Sequence, residues 1–387
     1  MPQLKVIWIS PLLLFFHSAP CSAQQLVQER VVGKLEVVAT FYGAMPTGVT
    51  VANNGRTFVN FPKWGDDIAY TVAELKNGKT FPYPNPEINH YSDGDTQSDK
   101  LVSVQSVVVD PTGNRLWILD TGSIAQGSVK PGGPKLVGVD LATNQIFKKI
   151  VFPADVALPT TYLNDVRFDL QRGAKGMAFI TDSSSTGANA IIVVDLASGK
   201  SWRRLNDHPS TKSAPGFVPV VEGEVLQLRL PGKPPMPFKV GADGIALSPD
   251  AKTLFYCPLS SRHLYSVSVD ALAEKNRKDA AVAATVKDLG EKGGASAGLE
   301  ADAQGRVYLS DYEHNAIRRW KPGGEIETLT HDPKILWPDT LSLAADGFLY
   351  FTANQFERQA SFQNGQDLRQ KPYVLFRLKV DGTRIGK

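Results

Sequence analysis

The chain has 387 residues, with 42 Lys and Arg against 39 Asp and Glu, a formal net charge of +3. That near-balance gives no reason to expect nucleic acid or an anionic membrane surface as a partner. The two cysteines, Cys21 and Cys257, exclude a multi-cysteine metal site, and only Cys257 would survive removal of an N-terminal leader, which also excludes a disulfide framework.

The first residues read as such a leader. Lys5 precedes an apolar stretch (Val6–Ile9, then Leu12–Phe16), and Cys21-Ser22-Ala23 resembles a small-residue cleavage site. A secretory signal over residues 1–23 follows, leaving residues 24–387 as one exported domain, secreted or periplasmic. The apolar stretch is broken by Ser10-Pro11 and is too short to span a bilayer. No later stretch approaches about 18 apolar residues, so no membrane partner is expected after cleavage.

Beyond the leader one hairpin recurs six times: Gly48–Trp64, Ser106–Gly122, Asp165–Ser183, Gly244–Ser260, Gly298–Glu313 and Thr340–Asn354. Each copy has a short apolar strand, a turn bearing Asp, Asn or Gly, and a second apolar strand. Several copies are followed by a further hairpin. Lys135–Asp140 turns into Ile146–Phe152, Ala190–Asp195 into Trp202–Leu205, and Ile317–Trp320 into Ile326–Leu329. Four-stranded units repeated along a chain predict an all-β, six-bladed β-propeller of antiparallel blades, against a β-sandwich pair or an open solenoid. The last unit lacks a fourth strand, whereas Leu35–Phe41 is a strand without a partner. The N-terminal strand is therefore expected to complete the last blade beside Tyr373–Val380, because a closed ring leaves no open edge.

Three polar, irregular insertions interrupt the pattern: Tyr83–Lys100, the proline-rich Asp207–Val240, and Gln355–Lys371 with Phe356 and Phe362. Insertions on a rigid repeat scaffold often carry function. The Asp93-Gly94-Asp95 run lacks EF-hand spacing and reads as a solvated loop. A weak helical signal covers Ala271–Ala284.

In a propeller the first strand of each blade lines the central channel. Two positions before the first aligned apolar residue of each copy stand Thr47, Gln105, Asn164, Asp243, Ala297 and Asp339. Five of the six are polar, and they should share one rim. The second strands end near that rim in Asp120-Thr121, Asp182-Ser183, Asp311-Tyr312 and Asn354-Gln355. A concave rim with convergent polar groups is the expected binding site for a small molecule. Thr47, Gln105, Asp120, Asn164, Asp182 and Asn354 are candidate ligand contacts, Tyr312 and Trp337 candidate stacking walls, and Asp243 and Asp339 candidate proton-transfer groups. The same residue types would suit a hard divalent ion such as Ca²⁺, which takes about six to eight oxygens, with Asn164 and Asp243 as the candidate ligands. The histidines show no metal-site pairing, and only His314 falls near the rim. No G-x-S-x-G elbow, phosphate loop or dinucleotide fingerprint is present, so a serine hydrolase or nucleotide enzyme finds no support. Cys257 lies in the apolar run Leu254–Cys257 and reads as core.

Certain stretches resemble the yellow / major royal jelly protein family. They include Val51–Phe58 with Pro62-Lys63-Trp64, Val104–Val107 with Leu116–Gly122, Tyr162–Arg167, Ile180–Ser183, Gly244–Pro249 and Trp337-Pro338-Asp339. The resemblance implies a secreted six-bladed propeller with a small-molecule site at the channel mouth. Insect members include dopachrome-converting enzymes, binders of biogenic amines and nutritive proteins, so membership leaves activity open between a tautomerase and a binding protein. The lone remaining cysteine and short leader point to a bacterial relative. More distantly the chain is similar to gluconolactonase and regucalcin-like propellers, which hold a divalent metal through a first-blade Glu, an Asn and an Asp. Asn164 and Asp243 match the latter two, but Pro46-Thr47-Gly48 stands where the Glu should be. A metal-dependent lactonase is thus the third alternative.

Overall fold

The computed structural model describes residues 31–386, so the expected signal over residues 1–23 lies outside the described residues. Six four-stranded antiparallel sheets form a six-bladed β-propeller. Blade 1 comprises Gly48–Val51, Thr57–Asn60, Val72–Lys76 and Lys79–Pro82. Blade 2 comprises Val104–Val109, Arg115–Asp120, Lys135–Asp140 and Ile146–Val151. Blade 3 follows with Leu163–Asp169, Met177–Asp182, Ala190–Asp195 and Ser201–Arg204, and blade 4 with Ala242–Leu247, Thr253–Pro258, His263–Ser268 and Lys287–Glu291. Blade 5 is Ser296–Ala301, Val307–Asp311, Ala316–Trp320 and Ile326–His331. Blade 6 contains Pro338–Leu343, Phe348–Ala353 and Tyr373–Lys379. Its outermost strand is Leu35–Phe41, antiparallel to the last of these, with Leu35 opposite Leu378 and Phe41 opposite Tyr373.

The core is not one mass but a layer between each pair of blades. Phe58 and Val72 of blade 1 meet Leu116 and Ile118 of blade 2. Trp117 and Leu119 turn the other way, onto Val166 and Ile180 of blade 3. Equivalent layers join blades 3 and 4, 4 and 5, 5 and 6, and 6 and 1. A middle strand therefore buries both faces, and its sequence reads as a continuous apolar run, such as Leu116–Leu119, instead of an alternation. Outer strands have one wet face, and Ile146–Val151 is mostly exposed.

First strands of successive blades neighbour one another around the axis, that of blade 6 beside that of blade 1. Hydroxyls stitch them together. Thr50 Oγ1 accepts from Val109 N at 2.9 Å, and Thr352 Oγ1, on the second strand of blade 6, donates to Thr47 O just ahead of the first strand of blade 1 at 2.7 Å. The channel is tight just below the rim. A Cβ on Gly298 would fall 2.3 Å from Asp339 O, and one on Gly244 would fall 2.8 Å from Leu299 Cγ, so only glycine allows the inner strands to approach this closely.

The insertions carry little regular structure. Asp207–Val240 forms two minimal hairpins, Val220–Val221 with Glu224–Val225 and Gln227–Leu228 with Met236–Pro237. Gln355–Lys371 begins in one 3₁₀ turn, Phe356–Arg358. The two are clasped: Arg229 N donates to Ser361 O at 2.8 Å, Arg358 Nε to Glu222 Oε2 at 2.8 Å, and Phe238 packs edge-on against Phe362. The weak helical signal at Ala271–Ala284 resolves into two short helices, Val269–Ala273 and Asp279–Ala283. Glu274 is extended and ends the first, and the polar residues that follow offer no apolar face to continue it. Among the described residues no helix is long and apolar enough to cross a membrane.

Candidate functional site

In blades 2 to 6 the pairing of the first two strands slips at the same place. Val104 faces Asp120 but Ser106 faces Leu119; Leu163 faces Asp182 but Val166 faces Ile180. The slips in blades 4, 5 and 6 fall between Ala242 and Ile245, Ser296 and Leu299, and Pro338 and Leu341. The residues inside these irregularities are Gln105 alone in blade 2, and Asn164, Asp243, Ala297 and Asp339, each with the residue that follows it, in blades 3 to 6. A bulge leaves the extra residue out of the ladder and re-aims its side chain, a device common beside functional sites. These five line one cavity of about 500 Å³. Blade 1 pairs without a slip, and its equivalent, Thr47, does not line the cavity. Thr47 Oγ1 instead donates to Gln105 O at 3.3 Å and accepts from Asn60 Nδ2 at 2.8 Å.

Asp243 and Asp339 lie on the cavity lining without a cationic partner. Asn164 Nδ2 donates to Asp243 Oδ2 at 2.5 Å, and Asn354 Nδ2 donates to Asp339 Oδ2 at 2.8 Å. Thr181 Oγ1 donates to Asp243 O at 2.7 Å and fixes the backbone there. Burial pushes the Asp243 carboxyl well above the carboxylate range, and the charges of Asp339 and Asp165 add to it. Burial raises Asp339 to about 7, opposed by the Asn354 hydrogen bond.

The walls are aromatic. Trp64, Tyr162, Phe238, Trp337, Phe356 and Phe362 all border the cavity. Trp337 stacks on Tyr312 with centroids 4.1 Å apart and planes 16° apart, and touches Phe356 at 4.8 Å. Its backbone is left-handed, φ 51°, immediately before a proline. Such a conformation costs on the order of 1–3 kcal/mol and persists where packing dictates it. Tyr312 therefore acts from behind: its hydroxyl donates to Leu259 O at 2.8 Å, and the ring backs Trp337 without bordering the cavity. Asn354 likewise stands behind Asp339.

Asp120 and Asp182, though near the rim in sequence, do not border the cavity. Asp120 accepts from Val102 N, Ser103 N and Gly122 N and pairs with the buried Lys135 at 2.6 Å. Asp182 accepts from Thr161 Oγ1 and Tyr162 N and pairs with Arg203 at 2.8 Å. Both carboxylates hold the loop that leads into the first strand of their own blade. His314 is half-exposed against Asp311 at 2.8 Å, outside the cavity lining. Cys257 is buried in blade 4, its thiol pushed up to about 11 by burial, which keeps it protonated and unreactive. Trp64, Tyr162 and Phe238 were not among the residues expected from the rim alignment. Their signal in sequence is an aromatic at the border of an insertion or just before a rim position.

The donor set for a divalent ion is incomplete. Asn164 turns its amide hydrogens toward Asp243 and Ser183, the blade 5 position is Ala297, and Thr47 points elsewhere. Among the described residues no three His, Cys, Asp or Glu side chains cluster closely enough to hold a metal.

Residues 102–381 match the family model of the major royal jelly proteins. The chain belongs to the major royal jelly protein family. One relative is protein yellow of Drosophila erecta, 28% identical over 253 residues, which are 61% of this chain and 43% of that protein. The match thus spans less than half the length of that relative. Among solved structures this chain is similar to a calcium-binding protein, regucalcin from Agrobacterium tumefaciens (TM-score 0.53, 14% identity, 91% of this chain and 98% of that one). It is also similar to a gluconolactonase from Xanthomonas campestris (TM-score 0.52, 12% identity, 90% of each chain). At such identities the likeness extends to the fold alone.

Proposed function

We propose that this royal jelly family propeller binds a small aromatic molecule at the channel mouth and moves a proton on it, as a tautomerase acting on a dopachrome-like compound. The observation that carries this reading is the pair of buried carboxyls, Asp243 and Asp339, without a cationic partner in an aromatic-walled cavity. A carboxyl with a pKa near the working pH is suited to both taking and giving a proton. In a tautomerisation one carboxylate removes the proton from a ring carbon beside a carbonyl, a carboxylic acid protonates the carbonyl oxygen, and the two groups end with their protons exchanged. Asp339, raised to about 7, is the base in this scheme, and Asp243, pushed well above the carboxylate range by burial, is the acid. Aromatic walls hold the ring, and the exclusion of water strengthens both interactions.

A second reading, binding of an aromatic amine without turnover, draws on the same carboxyls, since an ammonium group would supply their missing partner. The experiment that separates the two follows the absorbance of a dopachrome-type substrate with wild type, Asp243→Asn and Asp339→Asn. The tautomerase reading expects a fall of about 10²-fold or more in each variant with the fold intact. Turnover unchanged in both would refute it. Binding that is retained with no turnover in wild type would leave the amine-binding reading. A metal-dependent lactonase has only the shared fold for support and lacks an assembled donor set, so no metal step is derived. The reading as a secreted or periplasmic protein draws on the leader-like residues 1–23 and on membership of the family.

A further inference from the structure

Three side chains on the cavity wall form a chain whose direction is fixed. Trp64 Nε1 donates to the Tyr162 hydroxyl oxygen at 2.7 Å, and that hydroxyl donates to Gln105 Oε1 at 3.0 Å. An indole nitrogen can only donate, so the tyrosine oxygen must accept and its single proton must go onward. Gln105 is therefore obliged to present its carbonyl to Tyr162. Its Nε2 hydrogens are left over, have no partner in the protein, and are not among the sealed buried atoms, so they face the cavity that Gln105 lines. The opposite polarity prevails on blades 3 and 6. Asn164 commits its amide hydrogens to Asp243 and to Ser183 at 3.1 Å, leaving its carbonyl oxygen open. Asp339 engages Oδ2 with the Asn354 amide and leaves Oδ1 open.

We infer that Gln105, held in one orientation by Trp64 and Tyr162, selects ligands with an acceptor oxygen on the blade 2 side and hydroxyl or amine donors on the side of blades 3 and 6. The ligand class is an aromatic carbonyl compound with a hydroxyl or amine on its far edge. The inference rests on the reading of the cavity as the small-molecule site and narrows it. Trp64 and Tyr162 border the cavity as walls and also position Gln105; of this hydrogen-bonded trio, the Gln105 amide is the group left to bond the ligand. A site built to donate a hydrogen bond discriminates strongly against an analogue that lacks the acceptor, because its donor is then left unpaired.

The test is calorimetric titration of the full-length protein with two probes that differ in one group, 4-hydroxybenzaldehyde and 4-methylphenol. Wild type is expected to prefer the aldehyde by about tenfold or more. Gln105→Glu replaces the donor with an acceptor that Tyr162 can still bond, and should abolish or invert the preference. Tyr162→Phe frees Gln105 to turn and should shrink the preference to about threefold or less with Gln105 intact. An undiminished preference in both variants would overturn the inference. Trp337→Leu separates the two levels. If it weakens both probes while Gln105→Glu keeps the preference, only the selectivity inference falls; if it affects neither probe, the cavity is not their site and both readings fall. A ligand-free readout guards against variants that bind poorly. The Trp64 indole N–H should exchange slowly in wild type and Gln105→Glu and rapidly in Tyr162→Phe, and slow exchange in all three would show that the chain does not run through Tyr162.

Discussion

A carboxyl inside protein, deprived of water and of a cation, holds its proton until the solution is nearly neutral. Asp339 is in that position at about 7, and the Asn354 hydrogen bond is the main force keeping it from rising further. Binding of a probe whose primary amine stays largely protonated up to about pH 9 should report this directly. Tyramine is expected to bind weakly at pH 5 and more tightly as pH rises through about 7, where Asp339 gains its charge. Asn354→Ala removes the opposing hydrogen bond and should move that midpoint upward, measured by calorimetry from pH 5 to 9; a flat profile in wild type would refute the assignment. The rim alignment located Gln105, Asn164, Asp243 and Asp339 because the bulge that aims them recurs at a fixed distance before each apolar run. It misplaced Thr47 because blade 1 has no bulge, and sequence carries no separate mark for one. Asp120 and Asp182 were drawn in for a physical reason too. A carboxylate at the end of a second strand can face a ligand or hold a loop by its backbone N–H groups, and both tasks ask for the same residue at the same place.

At the scale of elements, the hairpins were legible and the partnership of the insertions was not. β-branched runs and Asp, Asn and Gly turns specify a hairpin locally. The clasp between Asp207–Val240 and Gln355–Lys371 joins residues more than a hundred positions apart, with no periodicity to announce it. At its centre Glu357 is buried, both of its carboxyl oxygens lack a hydrogen-bond partner, and it lies beside Glu222 and 4.0 Å from the Nε of Arg358, whose hydrogen bonds go to Glu222. Arg229 and Glu224 complete the charged groups around the same cleft. Burial first, and then the charge of Glu222, raises Glu357 to about 8. The sign follows from linkage. With a native value above the unfolded one near 4.5, the contribution to stability is fully present below about pH 4.5 and is lost as pH climbs toward 8, a loss on the order of a few kcal/mol. Glu357→Gln abolishes this dependence. Calorimetric melting should give equal midpoints for variant and wild type near pH 4.5 and a variant midpoint several degrees higher at pH 8. A wild type that melts higher than the variant at pH 8 would show that the ionised carboxylate has a stabilising partner.

At the scale of the whole molecule, six-fold repetition reached the sequence because each blade must cover two neighbours, and a strand with two buried faces can be written only in apolar residues. The opposite mouth of the channel left no such trace. There the segment after blade 6 crosses the axis on a few specific contacts: Ala303 N donates to Thr383 O at 2.8 Å, and Arg384 enters a narrow space bordered by Arg167 and Glu300. Arg384 Nη1 donates to Asn53 Oδ1 at 2.6 Å, and Nη2 donates to Val109 O and Asp110 O at 3.0 and 2.9 Å. One guanidinium thus joins blade 1 to blade 2 while its own chain is bridged to blade 5 at Asp302. Burial lowers its proton affinity, but the negative neighbours Glu300 and Asp110 work against that, and an arginine stays charged throughout the usual pH range. A flat fork spreads its donors over separate nitrogens and so reaches acceptors on two blades at once, whereas a lysine gathers its three donors on one atom. Arg384→Ala leaves those acceptors unpaired and Glu300 with one cation fewer, so urea unfolding should lose about 1–3 kcal/mol. Arg384→Lys should recover less than half of that loss, because it restores the charge without the fork. Equal stability for the alanine variant would mean that water replaces the guanidinium without cost, and the segment would then be a loose cover over the mouth instead of a tie across three blades.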